Sequence, residues 1–497
     1  MKTAGSPGPD AITAKMLQEV AWEVSPALTI LFRKSFSSSI VPHDWRCANI
    51  TPIFKKGRKS DPSNYRPVSL TSICGKLMES HIKKELEDYL KTNHLILPTQ
   101  HGFMKGKSCA TNLLHTLEVL TKAVDNGQAA DVVYLDFSKA FDKVPHTLLI
   151  GKLAALGING RMLRWIKNWL SGRLQRVVIG GESSEWQEVK SGVPQGSLLG
   201  PVLFKVHIND IDLAVPDVTL IIKFADDTKA IQTIGGDEDR QRLQQALDNL
   251  MEWAAKWGMA FNTEKCKVVH VGRNNPQYPY KMGGSELASS DMEKDIGVLV
   301  NKTLKPSEQC SKAAKTANAV LGQIARGFHY RDRWTLPRLY KLYVRPHLEF
   351  ASAAWRPWTQ TDIQCLEKIQ QRAIGMISGM GDKSYEERLQ ELGLTTLEDR
   401  REEIALVEMY KILHGFSDVD PGIWFRPHEA AENARATRLA ADPWTVRVPA
   451  ARLDLRKNFF TVRTSVRWNR LPLEVRASKS VNAFKNAYRR YVNTRAQ

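Results

Sequence analysis

The order of hydrophobic and polar residues divides this chain into short strand-like runs and longer helix-like stretches. Apolar residues recur at helical spacing over residues 110–124 and again over residues 243–257. Between these stretches, residues 130–137 form a nearly continuous apolar run that is typical of a buried strand, and Asp136 stands at its end. The mixture of strand and helix patterns predicts an α+β fold, and an acid at a strand end marks a place where sites are built.

A second strand pattern contains two adjacent acids. Apolar residues 218–222 and the run 229–232 flank Phe224-Ala225-Asp226-Asp227, which predicts a hairpin with carboxylates at its turn. Neighbouring carboxylates repel each other unless positive charge lies against them, so the stretch is either a solvated acidic turn or a ligand set for hard divalent cations. Taken alone it favours the solvated turn, and the upstream Asp136 is what favours a site.

Basic and glycine-rich loops accompany these acids. A predicted strand over residues 48–54 leads into the basic loop 55–59, and a second strand covers residues 65–70. Residues 191–197 form a Gly/Pro-rich loop before a predicted helix over residues 202–211. Each loop alone is more often a solvated surface than a site.

Composition restricts the class of partner. The 497 residues exceed one core, predicting two to four domains, and the net charge of +18 favours nucleic acid as a partner, with an anionic membrane surface second. We expect no membrane span and no signal peptide, because no apolar run is long enough. The six cysteines form no C-x-x-C pair, which argues against a disulfide framework or zinc ribbon and predicts an intracellular protein.

The three acids suggest a reaction once they are placed on one antiparallel sheet. Asp136, Asp226 and Asp227 could then hold two Mg²⁺ ions about 3.5–4 Å apart, an arrangement that serves phosphoryl transfer. The basic loop and strand that follow one another upstream could supply cations to a triphosphate. The candidate cations are Lys55, Lys56 and Arg66.

The ordered motifs resemble those of reverse transcriptases from non-LTR (LINE-type) retrotransposons. Residues 131–146 (DVVYLDFSKAFDKVPH) resemble the first catalytic motif, residues 191–204 the second, and residues 224–227 (FADD) the third. Further similarity lies in three finger motifs and one element after the palm hairpin, at residues 6–10, 64–70, 100–103 and 261–265. Residues 344–349, 384–389 and 468–472 resemble elements of the Jockey (chicken-repeat) group, so the resemblance covers nearly the whole chain.

The resemblance implies a right-hand polymerase followed by a mainly helical region. We expect fingers with part of the palm over residues 1–130 and the catalytic palm over residues 131–275. The palm end and a helical thumb would cover residues 276–380. A basic helical nucleic-acid-binding region would occupy residues 381–497, joined through a linker near residues 418–442.

Site residues follow from the same resemblance. Asp136, Asp226 and Asp227 would be the metal-binding catalytic acids, with two Mg²⁺ ions or Mn²⁺ as a substitute. Arg66, with Lys55 or Lys56, would contact the incoming deoxynucleoside triphosphate.

Three further residues carry roles by resemblance. Phe141 falls where the family keeps an aromatic gate against a ribose 2′-hydroxyl, although core packing is an alternative. Lys265 falls where a lysine can protonate the departing pyrophosphate, the alternative being a surface charge. Gln195 would lie along the templating base pair.

The implied function is an RNA-directed DNA polymerase of a mobile element. It would extend a DNA primer or target DNA on an RNA template, within a ribonucleoprotein found in nucleus and cytoplasm. The endonuclease expected ahead of the polymerase is not seen before Ser6. A truncated or domesticated copy that binds RNA or DNA without polymerising is therefore the alternative, and a group II intron or telomerase-type polymerase would lack the motifs after residue 344.

Overall fold

A computed structural model describes residues 6–427 and 442–496. Most of the predicted linker lies outside this part of the chain. Helices and sheets both contribute to the fold, which confirms the α+β class predicted from the residue pattern.

The helices account for about half of the described chain. They are α1 Ala14–Glu19, α2 Ala21–Ser38, α3 His43–Arg46, α4 Ile73–Thr92, α5 Cys109–Asp125, α6 His146–Ala155, α7 Gly160–Leu170, α8 Gly200–His207, α9 Asp237–Lys256, α10 Ser307–Gly327, α11 Thr335–Leu339, α12 Arg345–Glu349, α13 Ser352–Trp355, α14 Gln360–Gly375, α15 Tyr385–Glu391, α16 Leu397–Leu413, α17 Asp454–Lys457, α18 Phe460–Asn469, α19 Leu473–Arg476 and α20 Val481–Ala496. Short 3₁₀ turns cover Pro62–Asn64, Asn209–Ala214 and Pro421–Ile423, and a π-helical turn covers Tyr340–Val344.

The strands form two five-stranded sheets and two small hairpins. They are β1 Cys47–Phe54, β2 Tyr65–Thr71, β3 Ala129–Leu135, β4 Arg173–Ile179, β5 Glu182–Ser183, β6 Gln187–Val189, β7 Leu220–Phe224, β8 Asp227–Ile234, β9 Lys267–Val271, β10 Lys281–Met282, β11 Ser285–Glu286, β12 Ala288–Ser289, β13 Met292–Asp295 and β14 Val298–Asn301.

The sheet that carries the acids has the strand order β12-β9-β3-β8-β7. Strand β3 lies in its centre and pairs antiparallel with both β8 and β9. Leu135 pairs with Thr228 in this register, so the end of β3 lies beside the start of β8. The antiparallel sheet predicted to hold all three acids is therefore present.

The second sheet is formed by strands from the first half of the chain. Strand β1 pairs antiparallel with β2 and parallel with β4, which also carries β5 and β6. This pairing brings the strand before the basic loop next to the strand that carries Arg66.

The prediction of a helix over residues 202–211 is wrong at the carboxyl end of this helix. Helix α8 stops at His207 and a 3₁₀ turn follows. The side-chain amide nitrogen (Nδ2) of Asn209 donates to the backbone carbonyl of Leu95 at 2.7 Å. The side-chain oxygen (Oδ1) of Asn209 accepts from the backbone N–H of Leu97 at 2.9 Å. These two hydrogen bonds hold Asn209 against a distant loop, which accounts for the change of helix type.

Helix α5 packs against the sheet that carries the acids. A capping box between Ser108 and Thr111 starts it, and its leucines, including Leu113 and Leu120, are fully buried against β3 and β7. The same helix also contacts α13 and α17. The helices after residue 300 therefore share one hydrophobic core with the sheet.

No helix in the described ranges is long and apolar enough to cross a bilayer.

Candidate active site

Asp136 follows directly after β3 and is held by the loop before β9. Its backbone amide donates to the Cys266 sulfur at 3.4 Å, and its carbonyl accepts from the amide of Asn262 at 2.7 Å. The side chain of Asp136 remains 43% exposed. Because its backbone is fixed and its carboxylate is partly exposed, Asp136 can bind a ligand that enters from solvent.

Asp226 and Asp227 lie at the tip of the β7–β8 hairpin. Phe224 pairs with Asp227, so Ala225 and Asp226 form a two-residue turn, and Ala225 has a φ of 58°. Turns of this kind normally place glycine at the position with positive φ. An alanine there needs support from outside the hairpin.

Gln100 supplies that support. Its Oε1 accepts from the amide of Ala225 at 3.0 Å and from the amide of Gly102 at 2.7 Å. The approach of the two segments is so close that a Cβ on Gly102 would lie 2.1 Å from the Ala225 nitrogen. The residues at 100–103 therefore fix the turn that presents the acids.

The three carboxylates act on one another electrostatically. Burial, followed by the nearby charge of Asp226, Asp295 and Asp136, raises the pKa of Asp227 to about 6. Burial and then Asp136 raise the pKa of Asp226, partly offset by Lys55 and Arg66. The site thus concentrates negative charge at a place that solvent reaches, since Asp227 is exposed and Asp136 and Asp226 are partly exposed.

The carboxylates fit a divalent cation chemically. Hard cations prefer oxygen ligands, and a cation would offset the repulsion that raises the pKa values of Asp226 and Asp227. A cavity of about 140 Å³ lies beside Asp136 and Asp227. Within residues 6–427 and 442–496, no group of three or more His, Cys, Asp or Glu side chains is already gathered closely enough to hold a metal ion.

Lys265 reaches the first acid. Its ammonium nitrogen lies 3.6 Å from Oδ2 of Asp136, and its side chain is 57% exposed. Both lysine and acid line the same cavity. A half-exposed pair of this kind contributes little to stability, so Lys265 is free to move toward a substrate.

The predicted nucleotide-binding cations divide into two groups. Lys55 and Arg66 are near enough to Asp226 to influence its pKa. Both lie on or beside the paired strands β1 and β2, where Ile53 is opposite Arg66. Lys56 is exposed in the same loop, next to Lys55. The structure therefore places Lys55 and Arg66 near Asp226, and the role of Lys56 stays a prediction.

Phe141 lies in a cluster of aromatic rings. Its ring stacks on Phe204 with centroids 4.3 Å apart and meets Phe103 edge-on at 6.2 Å. Phe204 is fully buried, whereas Phe141 is half-buried. One face of the Phe141 ring packs in the core, and the exposed part of the ring remains available to a substrate. A role in core packing and a role as a gate against the ribose 2′-hydroxyl are therefore compatible.

Gln195 is fixed by two neighbouring segments. Its side-chain Nε2 donates to Oδ1 of Asp142 at 3.1 Å. Its backbone carbonyl accepts from the backbone N–H of Ser69 on β2 at 2.7 Å. Gly192 is required nearby, because it has a φ of 88° and a Cβ there would lie 2.6 Å from the Asp142 carbonyl oxygen. Gln195 therefore joins the strand of Arg66 to the turn of Phe141.

Sequence reasoning missed a buried ion pair behind Asp227. Lys229 on β8 and Asp295 on β13 bond to each other and are both almost fully buried. Asp295 also lines the cavity and contributes to the raised pKa of Asp227. The lysine two residues after Asp227 was the available signal, but its partner lies 66 residues away.

A sheet with antiparallel central strands and acids at one end is typical of the palm of a right-hand nucleic-acid polymerase, and a second sheet presents cations beside it. The family model of reverse transcriptase (RNA-dependent DNA polymerase) matches residues 53–312, which is more than half of the chain. The chain belongs to this family. Polymerases of the family generally use divalent metal ions.

The relatives agree with the predicted Jockey-type resemblance. The chain is 25% identical over 386 residues to the RNA-directed DNA polymerase from mobile element jockey of Drosophila melanogaster, covering 75% of this chain and 42% of the relative. For the jockey polymerase of Drosophila funebris the identity is 26%, covering 76% and 43%. The chain thus spans about two fifths of the length of these curated relatives.

Among solved structures, this chain shows a low similarity to a telomerase from Candida albicans in complex with a fragment of telomeric RNA. The superposition has a TM-score of 0.40 at 10% identity, and covers 78% of this chain and 69% of the telomerase.

Proposed function

We propose that this chain is an RNA-directed DNA polymerase that extends a DNA primer 3′-hydroxyl on an RNA template of a mobile element. The observation that carries the proposal is that the charge of Asp136 acts on both Asp226 and Asp227 and contributes to the raised pKa of each of these two acids. This concentration of carboxylates stands beside Lys55 and Arg66, which suits a triphosphate.

Asp136, Asp226 and Asp227 would hold two Mg²⁺ ions, or Mn²⁺ as a substitute. When bound, such ions lower the pKa of an attacking hydroxyl and neutralise charge on the leaving group. The chain's own residues do the positioning: Arg66 and Lys55 bind the triphosphate, and Gln195 lies along the templating base pair. The Asp142 carboxylate fixes the Gln195 amide with its nitrogen toward Asp142.

Lys265 would donate a proton to the departing pyrophosphate. Its ammonium group is half-exposed in the cavity beside Asp136 and can turn toward a phosphate oxygen. Phe141 would exclude a ribose 2′-hydroxyl with the part of its ring that Phe204 does not cover. The deoxynucleotide would therefore be the preferred substrate.

The net charge of +18 supports RNA and DNA as partners, because phosphate contacts dominate the affinity of such proteins. The protein would act in nucleus and cytoplasm, bound to the element RNA. The second candidate is a truncated or domesticated copy that binds RNA or DNA without polymerising, since the same positive charge would serve binding alone.

A primer-extension assay on an RNA template separates these candidates. The purified chain, an annealed DNA primer, four deoxynucleotides and Mg²⁺ should give extended primer, and omission of the divalent ion should abolish extension. Tight template–primer binding without any extension, in either Mg²⁺ or Mn²⁺, would instead support the non-polymerising copy.

A further inference from the structure

An unusual helix follows α10 and exposes large apolar side chains. It runs through α11, the π-helical turn Tyr340–Val344 and α12 as one continuous rod. Its buried side, made of Leu336, Tyr340, Val344 and Leu348, repeats every four residues. Four residues exceed one α-helical turn, so an ordinary helix would rotate these side chains out of line. The wider π turn keeps them on one side.

The same spacing aligns the opposite side of this helix. Trp334, Arg338 and Leu342 follow one another at intervals of four residues, and Tyr343 stands beside Leu342. Trp334 is 62% exposed, Leu342 66% and Tyr343 57%. We call these four residues the Trp334 stripe. Single exposed apolar residues are common, but an aligned row on a π-bulged helix indicates a binding surface.

Positive residues outnumber acids in the segment that carries the stripe. Residues 326–347 contain six Lys or Arg residues and one acid, Asp332. That acid is occupied, because its Oδ1 accepts the amides of Trp334 at 2.6 Å and Thr335 at 2.7 Å and so caps the helix. Asp332 thus contributes one negative charge against the six cations.

Some of the six cations are also occupied. Arg333 lies 3.8 Å from Glu391, and Arg345 lies 3.7 Å from Glu349. The Arg333 guanidinium also lies over the Trp334 ring, 5.1 Å from its centroid, so a base would stack on the other face of this ring. Within the described part of the chain, Arg338 and Lys341 have no ion pair. Burial, and after it the nearby charges of Arg345 and Arg400, lower the pKa of Lys341.

We propose that the Trp334 stripe binds single-stranded RNA, with bases stacked on Trp334 and Tyr343 and phosphates paired with Arg338 and Lys341. Alternating aromatic rings and unpaired cations are the two features of sequence-independent single-strand binding. A duplex keeps its base faces covered and cannot use the rings. An apolar protein partner would leave the unpaired cations unexplained, because charge is depleted in the centre of protein interfaces.

The stripe is separate from the catalytic cavity, since none of its residues lines that cavity. The inference rests on the proposed function only in its choice of RNA. It can therefore be tested by binding alone, with no nucleotide present.

The test is fluorescence anisotropy with the full chain and a labelled 12-nucleotide uridine strand, beside an RNA duplex of equal length. Because one stacked base is worth about five-fold or more in affinity, Trp334→Ala with Tyr343→Ala should weaken single-strand binding about 25-fold. Duplex binding should change by less than about two-fold. Trp22→Ala is the control, since Trp22 is 90% exposed on the distant helix α2.

Arg338→Ala gives a second readout. It should reduce the slope of log affinity against log salt for the single strand by about 0.7, the value for one phosphate contact. Unchanged single-strand binding in the double variant, or an equal loss in Trp22→Ala or with duplex, would overturn the proposal. A change in self-association of the double variant without a change in RNA binding would overturn it too, in favour of a protein partner.

Primer extension with a saturating, pre-annealed template–primer distinguishes this inference from the polymerase proposal. The double variant should keep activity within about two-fold of the wild type, because stacking energy on a separate surface is not used in the chemical step. An inactive wild-type chain that still binds single strands through the stripe would contradict only the polymerase proposal.

Discussion

Glu118 on α5 and Arg456 on α17 form a buried ion pair across 338 residues of sequence. Nη1 of Arg456 donates to Oε2 of Glu118 at 2.9 Å and to Thr121 at 3.0 Å, and both charged side chains are less than a tenth exposed. Because α5 also packs on the sheet that carries Asp136 and Asp227, the pair attaches the carboxyl-terminal helices to the support of the candidate site.

Arg456→Met should destabilise the protein strongly. It leaves the Glu118 carboxylate buried without its partner, and breaking a buried pair in this way costs about 3–5 kcal/mol. Urea unfolding measures the loss. The control is Lys457→Met, whose exposed partner Asp454 lies 3.3 Å away and whose removal should cost less than about 1 kcal/mol. Equal losses in the two variants would show that the Glu118–Arg456 pair does not hold the helices in place.

Gly102→Ala should abolish or greatly reduce primer extension. The added Cβ would collide with the nitrogen of Ala225 and displace the turn that carries Asp226. Such a shift near the reacting groups commonly costs about 100-fold in rate. Gly151→Ala is the control, because a Cβ on that helical glycine meets nothing within 4 Å. Wild-type extension rates in Gly102→Ala would mean that this contact does not position the turn.

Phe141→Val should increase the incorporation of ribonucleotides relative to deoxynucleotides. The smaller side chain makes room for a 2′-hydroxyl, and the lost stacking on Phe204 should also lower the melting temperature. The ratio of kcat/KM for the two sugars, measured with a DNA primer on an RNA template, is the relevant quantity. A lower melting temperature with unchanged sugar selectivity would assign Phe141 to core packing alone.

Acid should destabilise the fold through buried histidines. Burial lowers the pKa of His101 to about 2 and the pKa values of His115 and His207 to about 4. In the unfolded chain a histidine titrates near 6.5, so below that pH the unfolded chain binds protons that the folded chain does not. This stability is complete above about pH 6.5 and falls by about 1.4 kcal/mol per pH unit and histidine as the pH drops toward the folded value.

Replacement of one histidine isolates this effect from the carboxylates, whose raised pKa values act in the opposite direction. His207 is fully buried and faces Trp257. His207→Phe should therefore lose less stability than the wild type between pH 7.5 and pH 5.5 in urea unfolding. Parallel pH profiles for the two proteins would show that His207 is protonated equally in the folded and unfolded chains.

The parts predicted from sequence are those that local pattern determines. Asp136 was found because an apolar run ends there, and Asp226 with Asp227 because two strand patterns flank them. Asp142, Gln100 and Asp295 were missed as site residues, since each acts on a group 53 or more positions away in the chain. A polar residue in a single sequence gives no signal of such a distant partner.

The ends of helices and domains are also poorly predicted from local sequence patterns. The end of α8 depends on hydrogen bonds from Asn209 to residues 95 and 97, which no local pattern contains. The predicted domain limits, including a separate region after residue 380, stay predictions. The shared core of α5 with the carboxyl-terminal helices is a further long-range feature that composition and charge could not indicate.

The most direct measurement is primer extension on an RNA template by Asp226→Asn beside Asp217→Asn. The two variants remove one negative charge each, but Asp217 is exposed at the base of the same hairpin and away from the acids. Asp226→Asn should reduce the rate by at least about 100-fold because a metal-binding carboxylate is lost, while Asp217→Asn should extend like the wild type. An Asp226→Asn protein that is folded and extends primer at the wild-type rate would contradict the assignment of the site.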